Sequence, residues 1–436
     1  MRSPWGFRSR CRSTSASRCS TPSTRNRRTN RLIPMRIRTT GTEDRPMADI
    51  TPMPPMRDQV QFEGSIKDRP DDFLVYEIPK YEPCGEGEHL YLRIRKSGVS
   101  HDDLISTVAR ACSVPVRAIG FAGIKDTKAV TEQTLSVHRP DSDHAPVIDD
   151  DRIEVLWMDR HRNKLRRGHL AGNRFVIRVR GIDPLRVTDT WSRLRVLADH
   201  GVPNAFGPQR FGRTGDNHLL GLLMLREDWA GLAARLGDGR PGRLEERIRR
   251  SIEDGRDPRE ACRVVPGRLR RFWNDSLQSA LFNAVLAERI AHGDWNRLRV
   301  GDVAWNHDTR RTFVVSSGDL ADEATMQRLQ EGVLAPTGPM WGRAMRSPDD
   351  PVAAMERGVA DALDPELVPL LVDAGRSRGD RRPLVVPLAH ASILSEMDEH
   401  GGCITVQFEL PPGAYATTVL RELFGESTVA TGLEEV

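Results

Sequence analysis

The residues with the clearest capacity for chemistry lie between Gly120 and Gln133, in the run G-F-A-G-I-K-D-T-K-A-V-T-E-Q. One carboxylate, Asp126, is set between Lys125 and Lys128. Gly120 and Gly123 leave room for a close backbone approach or a positive φ. The β-branched Val130, Thr131 and Thr134 predict a strand, so Asp126 is expected on the loop that leads into it. A carboxylate in such a loop can serve as nucleophile, general base or ion-pair partner. Taken alone, the same residues also describe a solvated Asp-Thr turn between surface lysines.

The elements that must position this acid follow from periodicity. Phe73, Val75 and Glu77 alternate with Leu74, Tyr76 and Ile78, as in a largely buried strand with one acidic exception, and Pro70 and Asp71 form the turn before it. Leu90, Leu92 and Ile94 alternate as a second strand. Ser100 is the expected N-cap of a helix over 102–112, where Leu104, Ile105, Val108 and Ala111 make one face. The turn-rich segment 138–150 holds His138, Asp141, Asp143 and His144 and is expected to be a solvated loop rather than a metal site.

Three further stretches bear on function. Asp159 to Asn173 carries Arg160, Arg162, Lys164, Arg166 and Arg167 ahead of Gly168 and Gly172, a composition suited to phosphate oxygens and equally to a solvated face. After a helix over 187–200, the run G-V-P-N-A-F-G-P-Q-R-F-G sets an amide, Asn204, beside a ring, Phe206. That pair suits a base stacked and hydrogen-bonded outside its helix; core packing for Phe206 and a turn at Asn204 are the alternative. From about Trp229 to Arg382 amphipathic helices dominate, among them Arg243–Asp254 and a long helix with Leu277, Leu281, Val285 and Ile290 roughly on one side, whose basic residues Arg268, Arg270 and Arg271 are a candidate nucleic-acid contact and equally a solvated face. Gly301 to Trp305 begins a strand-rich part, and Pro336–Gly342 reads as a turn-dense loop. The tail alternates from Ile404 to Leu410, turns at Pro411–Gly413 and ends in a helix over 416–424.

Composition bounds the class. The 436 residues suffice for a large core and suggest two or more domains. At 38% hydrophobic and 29% charged, with no apolar run of the roughly 18 residues that span a bilayer, no membrane association is expected. The six cysteines, Cys11, Cys19, Cys84, Cys112, Cys262 and Cys403, form no C-x-x-C pair, which points to a reducing cytosol and to neither zinc nor disulfides. The net charge of +4 is uneven: residues 1–46 hold twelve arginines against Glu43 and Asp44, a charge of +10, which leaves −6 for the rest. The body must therefore bind any nucleic acid through a local basic groove. The head cannot bury a core. It reads as a transit peptide, a basic RNA-binding tail, or upstream sequence read through with the start at Met35 or Met47; we favour the third.

These stretches together resemble the TruD family of tRNA pseudouridine synthases. The Asp126 stretch is similar to the family pattern G-x-A-G-x-K-D-x-x-A-V-T-x-Q, with each fixed position present. Lys67 to Glu77 resembles K-x-x-P-E-D-F-x-V-x-E, Lys164 to Phe175 resembles K-x-R-x-G-x-x-x-G-N-x-F, and the runs around Asn204 and at the C-terminus match in the same way. The resemblance covers nearly all of the chain beyond its first five dozen residues or so. It implies an α+β fold: a pseudouridine-synthase core, a mostly antiparallel mixed sheet with flanking helices, carrying an inserted α/β TRUD domain. Residues 47–228 would then be the first part of the catalytic domain, 229–383 the insertion and 384–436 the returning part. The implied activity is isomerisation of uridine, at position 13, to pseudouridine in tRNA. The implied catalytic set is Asp126 as the carboxylate, Lys67 keeping it charged, Phe206 stacking the base and Asn204 ordering the loop. Glu77, Lys125, Lys164, Arg166, Asn173, Gln209 and Arg210 are the expected substrate-binding residues. No metal, nucleotide or redox cofactor is required, in line with the missing P-loop and Rossmann fingerprints, and no obligate protein partner is expected. The rival functions are a catalytically silent tRNA-binding or folding protein on the same scaffold and a hydrolase pairing Asp126 with His89 or His138.

Overall fold

The alternating segment Phe73–Pro79 forms β1, at the middle of the larger of two main sheets. In the computed structural model the described residues run from Phe62 to Gly425, apart from 63, 140–143, 145, 213, 238–241 and 374–376. The arginine-rich head and its three readings lie outside them, as do Asp141 and Asp143 and the chain end after Gly425. The strands that follow β1 are β2 (His89–Ser97), β3 (Ile119–Phe121), β4 (Val130–His138), β5 (Ile153–His161), β6 (Leu170–Arg180) and β7 (Val202–Pro203). Then come β8 (Val303–Asn306), β9 (Arg311–Val314), β10 (Leu334–Met340), β11 (Asp380–Pro383), β12 (Val385–Val386), β13 (Ala389–Asp398) and β14 (Gly401–Leu410).

The large sheet has the order β13-β14-β6-β1-β4-β2-β5, with β3 also paired to β4. Only β1 and β4 run parallel; the other pairings are antiparallel. The fold is thus α+β with a mostly antiparallel mixed sheet. The chain leaves this sheet after β6 and returns to it at β13 and β14, where Phe408 sits opposite Phe175.

Two apolar clusters cover one face. Phe73, Val75, Phe175, Ile177, Val406 and Phe408 pack under the helices Val187–His200 and Ala416–Phe424. Leu90, Leu92, Ile94, Leu135 and Val137 pack under the helix His101–Ala111, whose Leu104 and Val108 are fully buried. Ser100 caps that helix by accepting a hydrogen bond from the Asp103 amide at 3.1 Å, worth about 1 kcal/mol.

The second sheet, ordered β11-β10-β8-β9, packs against the long helix Gly267–Ala291. Its middle strand β10 corrects the loop expected at Pro336–Gly342. Leu334–Pro336 pair with β8 and Thr337–Met340 pair with β11, so each half runs in a ladder on one side only, where a proline without an N–H is tolerated. Gly338 lets Phe282 of the long helix approach; a Cβ there would lie 3.0 Å from its ring. Arg381 is bound by Glu356 at 2.6 Å and Arg289 by Asp302 at 2.8 Å, both buried pairs. Among the described residues no helix is long and apolar enough to cross a membrane.

Candidate active site

Asp126 lies on the loop between β3 and β4, where the sequence puts it. Gly120 achieves a close approach rather than a positive φ: a Cβ there would meet the Leu165 carbonyl at 2.3 Å. At Gly120, β3 is therefore sandwiched between β4 and the segment after β5. Lys67 Nζ donates to Asp126 Oδ2 across 59 residues of chain. The Lys128 amide donates to Oδ1 at 3.0 Å. Both carboxylate oxygens are held, yet the side chain remains 34% exposed, so its direction is fixed and its face is open.

Lys67 is itself constrained. Its side chain is nearly buried, its ammonium lies 4.6 Å from the Phe73 ring centroid, and its φ of 63° is left-handed, a conformation a non-glycine residue adopts at a cost. Such strain is retained where the surroundings over-determine it, here by the ion pair.

Lys125 turns the other way. Its ammonium donates to Glu77 Oε2 at 2.7 Å in a buried pair, and Glu77 Oε1 accepts from the Thr134 amide at 3.1 Å. Glu77 and Lys125 were expected to bind substrate; their charged atoms instead satisfy one another and tie β1 to the loop. The backbone of Asp126 is held from a third side. Lys96, on β2 and fully buried, donates to the Asp126 carbonyl at 2.7 Å and to the Val99 carbonyl at 2.7 Å. Burial pushes its ammonium down to about 8, opposed by Asp126 and aided by Lys125. Sequence reasoning missed Lys96. The available signal was its place as the fourth core-facing residue in the alternation Leu90, Leu92, Ile94, Lys96.

Asn204 and Phe206 form a second cluster. The Asn204 amide group donates to the Pro383 carbonyl at 2.9 Å, and its Oδ1 accepts from Arg382 at 2.5 Å. Asn283 of the long helix clamps Phe206 through both backbone groups, at 2.9 and 3.0 Å. The Phe206 ring is 6% exposed, with the Arg382 guanidinium 4.1 Å from its centroid, Arg210 at 5.0 Å and Phe282 edge-on. The stacking surface expected of this ring is occupied by Arg382. Desolvation lowers that guanidinium to about 10. Among the described residues no hydrogen bond, ion pair or ring contact joins Asn204 or Phe206 directly to Asp126 or Lys67.

The remaining expected residues scatter. Lys164 donates to the Arg117 carbonyl at 2.6 Å, Arg167 lies 5.2 Å over Phe121, and Arg166 is exposed. Asn173 faces Glu77 across the β1–β6 pairing with its Oδ1 buried and unsatisfied, as are both amide atoms of Gln133. Gln209 is exposed on the short turn Pro208–Arg210. Arg270 is used within the protein, donating to the Val265 and Cys262 carbonyls at 3.1 Å each, which removes it from the basic face expected on the long helix. His89 and His138 are paired with each other at the far end of β2 and β4, whereas Ser97 and Val130 mark the Asp126 end. Eight residues of strand separate the two ends, about 26 Å, so neither histidine can serve Asp126 as the hydrolase reading required. Among the described residues no group of three or more His, Cys, Asp or Glu could hold a metal ion.

A mostly antiparallel mixed sheet that carries a lysine-bound aspartate on the loop into a central strand defines a recognisable class. The model of the family tRNA pseudouridine synthase D (TruD) matches residues 56–241 and 240–423. The tRNA pseudouridine synthase D of Geobacter metallireducens is 39% identical over 391 residues, spanning 83% of this chain and 94% of that protein. The enzyme of the same name from Syntrophotalea carbinolica is 36% identical over 392 residues, spanning 83% and 96%. A crystal structure from Methanosarcina mazei assigned to tRNA pseudouridine synthase D (TruD) superposes with a TM-score of 0.72 at 25% identity, covering 87% of this chain and 98% of that one. The chain belongs to the TruD family.

Proposed function

We propose that the protein is a tRNA pseudouridine synthase acting in the cytosol, with uridine-13 as its target and Asp126 as its catalytic carboxylate. The reaction is an isomerisation. The bond from C1′ to N1 breaks, the uracil turns in place, C1′ bonds to C5, the C5 proton leaves and N1 takes one up. Asp126 supports this as nucleophile at C1′ or as base at C2′. The observation that supports the reading most is the state of that side chain: both oxygens are oriented, by Lys67 and by the Lys128 amide, while a third of its surface stays open. An ammonium in contact holds the carboxylate in one direction for either role.

Around it, Lys125, Glu77 and Asn173 act as the floor beneath the loop, and Lys164, Arg166, Gln209 and Arg210 as candidate contacts to the tRNA. A base that stacks on Phe206 displaces the Arg382 guanidinium from the ring, and Asn204 ties that loop to the end of β11. We also propose the partition into 47–228 and 384–436 as one catalytic domain around an inserted 229–383.

The experiment is incubation with an unmodified tRNA transcript followed by carbodiimide mapping. A single new stop attributable to position 13 is the expected result. Absence of pseudouridine with every tRNA supplied, while tRNA still binds, would leave only a silent RNA-binding protein.

A further inference from the structure

We propose that Lys96 is a positioning residue for the reaction: a buried ammonium that fixes the backbone of the Asp126 loop and thereby the direction of its carboxylate. The inference rests on Asp126 being the reacting acid. Lys96 has 0% of its surface exposed. A lysine is almost never found so deep without a partner, because its charge loses hydration there. Its two acceptors are neutral carbonyls, those of Val99 and Asp126, each at 2.7 Å. The Val99 contact closes the turn after β2. The Asp126 contact reaches 30 residues along the chain to the functional loop.

Three tethers then converge on two consecutive residues. The Lys125 side chain is bound by Glu77 of β1, the Asp126 carbonyl by Lys96 of β2, and the Asp126 carboxylate by Lys67 ahead of β1. With its carbonyl and its carboxylate both tethered, the Asp126 side chain has little freedom in χ1. An apolar residue would continue the Leu90, Leu92, Ile94 row and pack as well, yet would leave the Asp126 carbonyl free to turn. The groups that face the ammonium are Asp126, which favours its charge, Lys125 on the same loop, which opposes it, and His101 at the start of the helix His101–Ala111. The proton affinity of His101 is lowered by burial first; Asp102 opposes this, and Lys96, Lys125 and Arg167 add to it. With burial lowering the Lys96 ammonium to about 8, the charge-assisted bond to the Asp126 carbonyl weakens to a neutral one just above physiological pH.

The test measures kcat and KM for tRNA against pH in the wild type, Lys96→Met and Lys96→Arg, with Asp126→Asn run alongside. Lys96→Met keeps the length and removes the donors; kcat should fall by about 10²-fold, with KM within about threefold, as for a misdirected catalytic group. In the wild type kcat should decline as pH rises through about 8. That decline should move to higher pH in Lys96→Arg, since a guanidinium stays charged. A folded Lys96→Met enzyme with kcat within about twofold of wild type, or the same alkaline decline in wild type and Lys96→Arg, overturns the proposal, because a purely structural lysine would move neither. If neither variant folds, the wild-type profile decides: a decline near 8 supports it and a level rate to about pH 10 overturns it. Full activity in Asp126→Asn would instead overturn the reading of the site itself.

Discussion

The Asp126 loop and the Asn204–Phe206 loop are held by opposite means. Asp126 is held by charge: Lys67, Lys96 and the Lys128 amide each bind a different oxygen of one residue, and the carboxylate stays 34% exposed. Phe206 is held by packing and by an amide clamp from the long helix, with Arg382 closing its ring. A group that must meet substrate and keep one direction needs tethers that leave its face open, and charge-assisted hydrogen bonds supply direction without cover. A ring clamped to the long helix can fix where two parts of the chain meet, and is buried in doing so.

Substitutions can break that contrast. Asp126→Asn should reduce pseudouridine formation by about 10³-fold or more while tRNA affinity stays within about threefold, measured by single-turnover kinetics and filter binding. Equal losses in both would put Asp126 in binding rather than chemistry. Glu77→Gln leaves Lys125 as an unpaired buried charge and should cost about 3–5 kcal/mol in urea unfolding, with activity falling because the loop loosens. Lys96 sharpens the comparison through pH. Its folded-state pKa lies near 8 against an ordinary 10.5, so between these values the unfolded chain binds more protons and the Lys96 contribution to stability rises with pH. The wild type should gain about 3 kcal/mol relative to Lys96→Met across that window, read from urea midpoints. Stability and activity would then move in opposite directions on the alkaline side.

Arg382→Ala should cost about 2–3 kcal/mol, since the carbonyls of Asn204 and Gly413 and the Asn204 side-chain oxygen all lose a donor. An activity loss as complete as that of Asp126→Asn, with stability unchanged, would erase the contrast and make the second loop catalytic. The smallest effect belongs to Arg166→Ala on the exposed basic run. It should weaken tRNA binding a few-fold and lower the slope of log affinity against log salt by about 1, the signature of one phosphate contact.

Local features were legible because local forces decide them. Alternation located β1, the hydroxyl at Ser100 marked the helix start, and the Asp126 loop fell between its glycines and the β-branched run that follows. The helices over 187–200 and 416–424 began and ended where the sequence indicated. Features set by pairing across the chain were hidden. Glu77 and Lys125 looked like substrate contacts because nothing local shows that a residue 48 positions away is the partner. Arg382 attracted no notice, since its bonds to Asn204 span 178 residues. The prolines at 336 and 339 suggested a loop because the local rule disfavours them in strands, and only the half-and-half pairing of β10 explains why they are tolerated.

The most direct measurement follows the hydrogen at C5, which must leave if and only if the uracil rebonds to the ribose through that carbon. With tRNA carrying tritium at uracil C5, the wild type should release one equivalent of label per pseudouridine formed, and Asp126→Asn should release none above background. Label released equally by both proteins, or free uracil appearing in solution, would contradict an aspartate-centred isomerase.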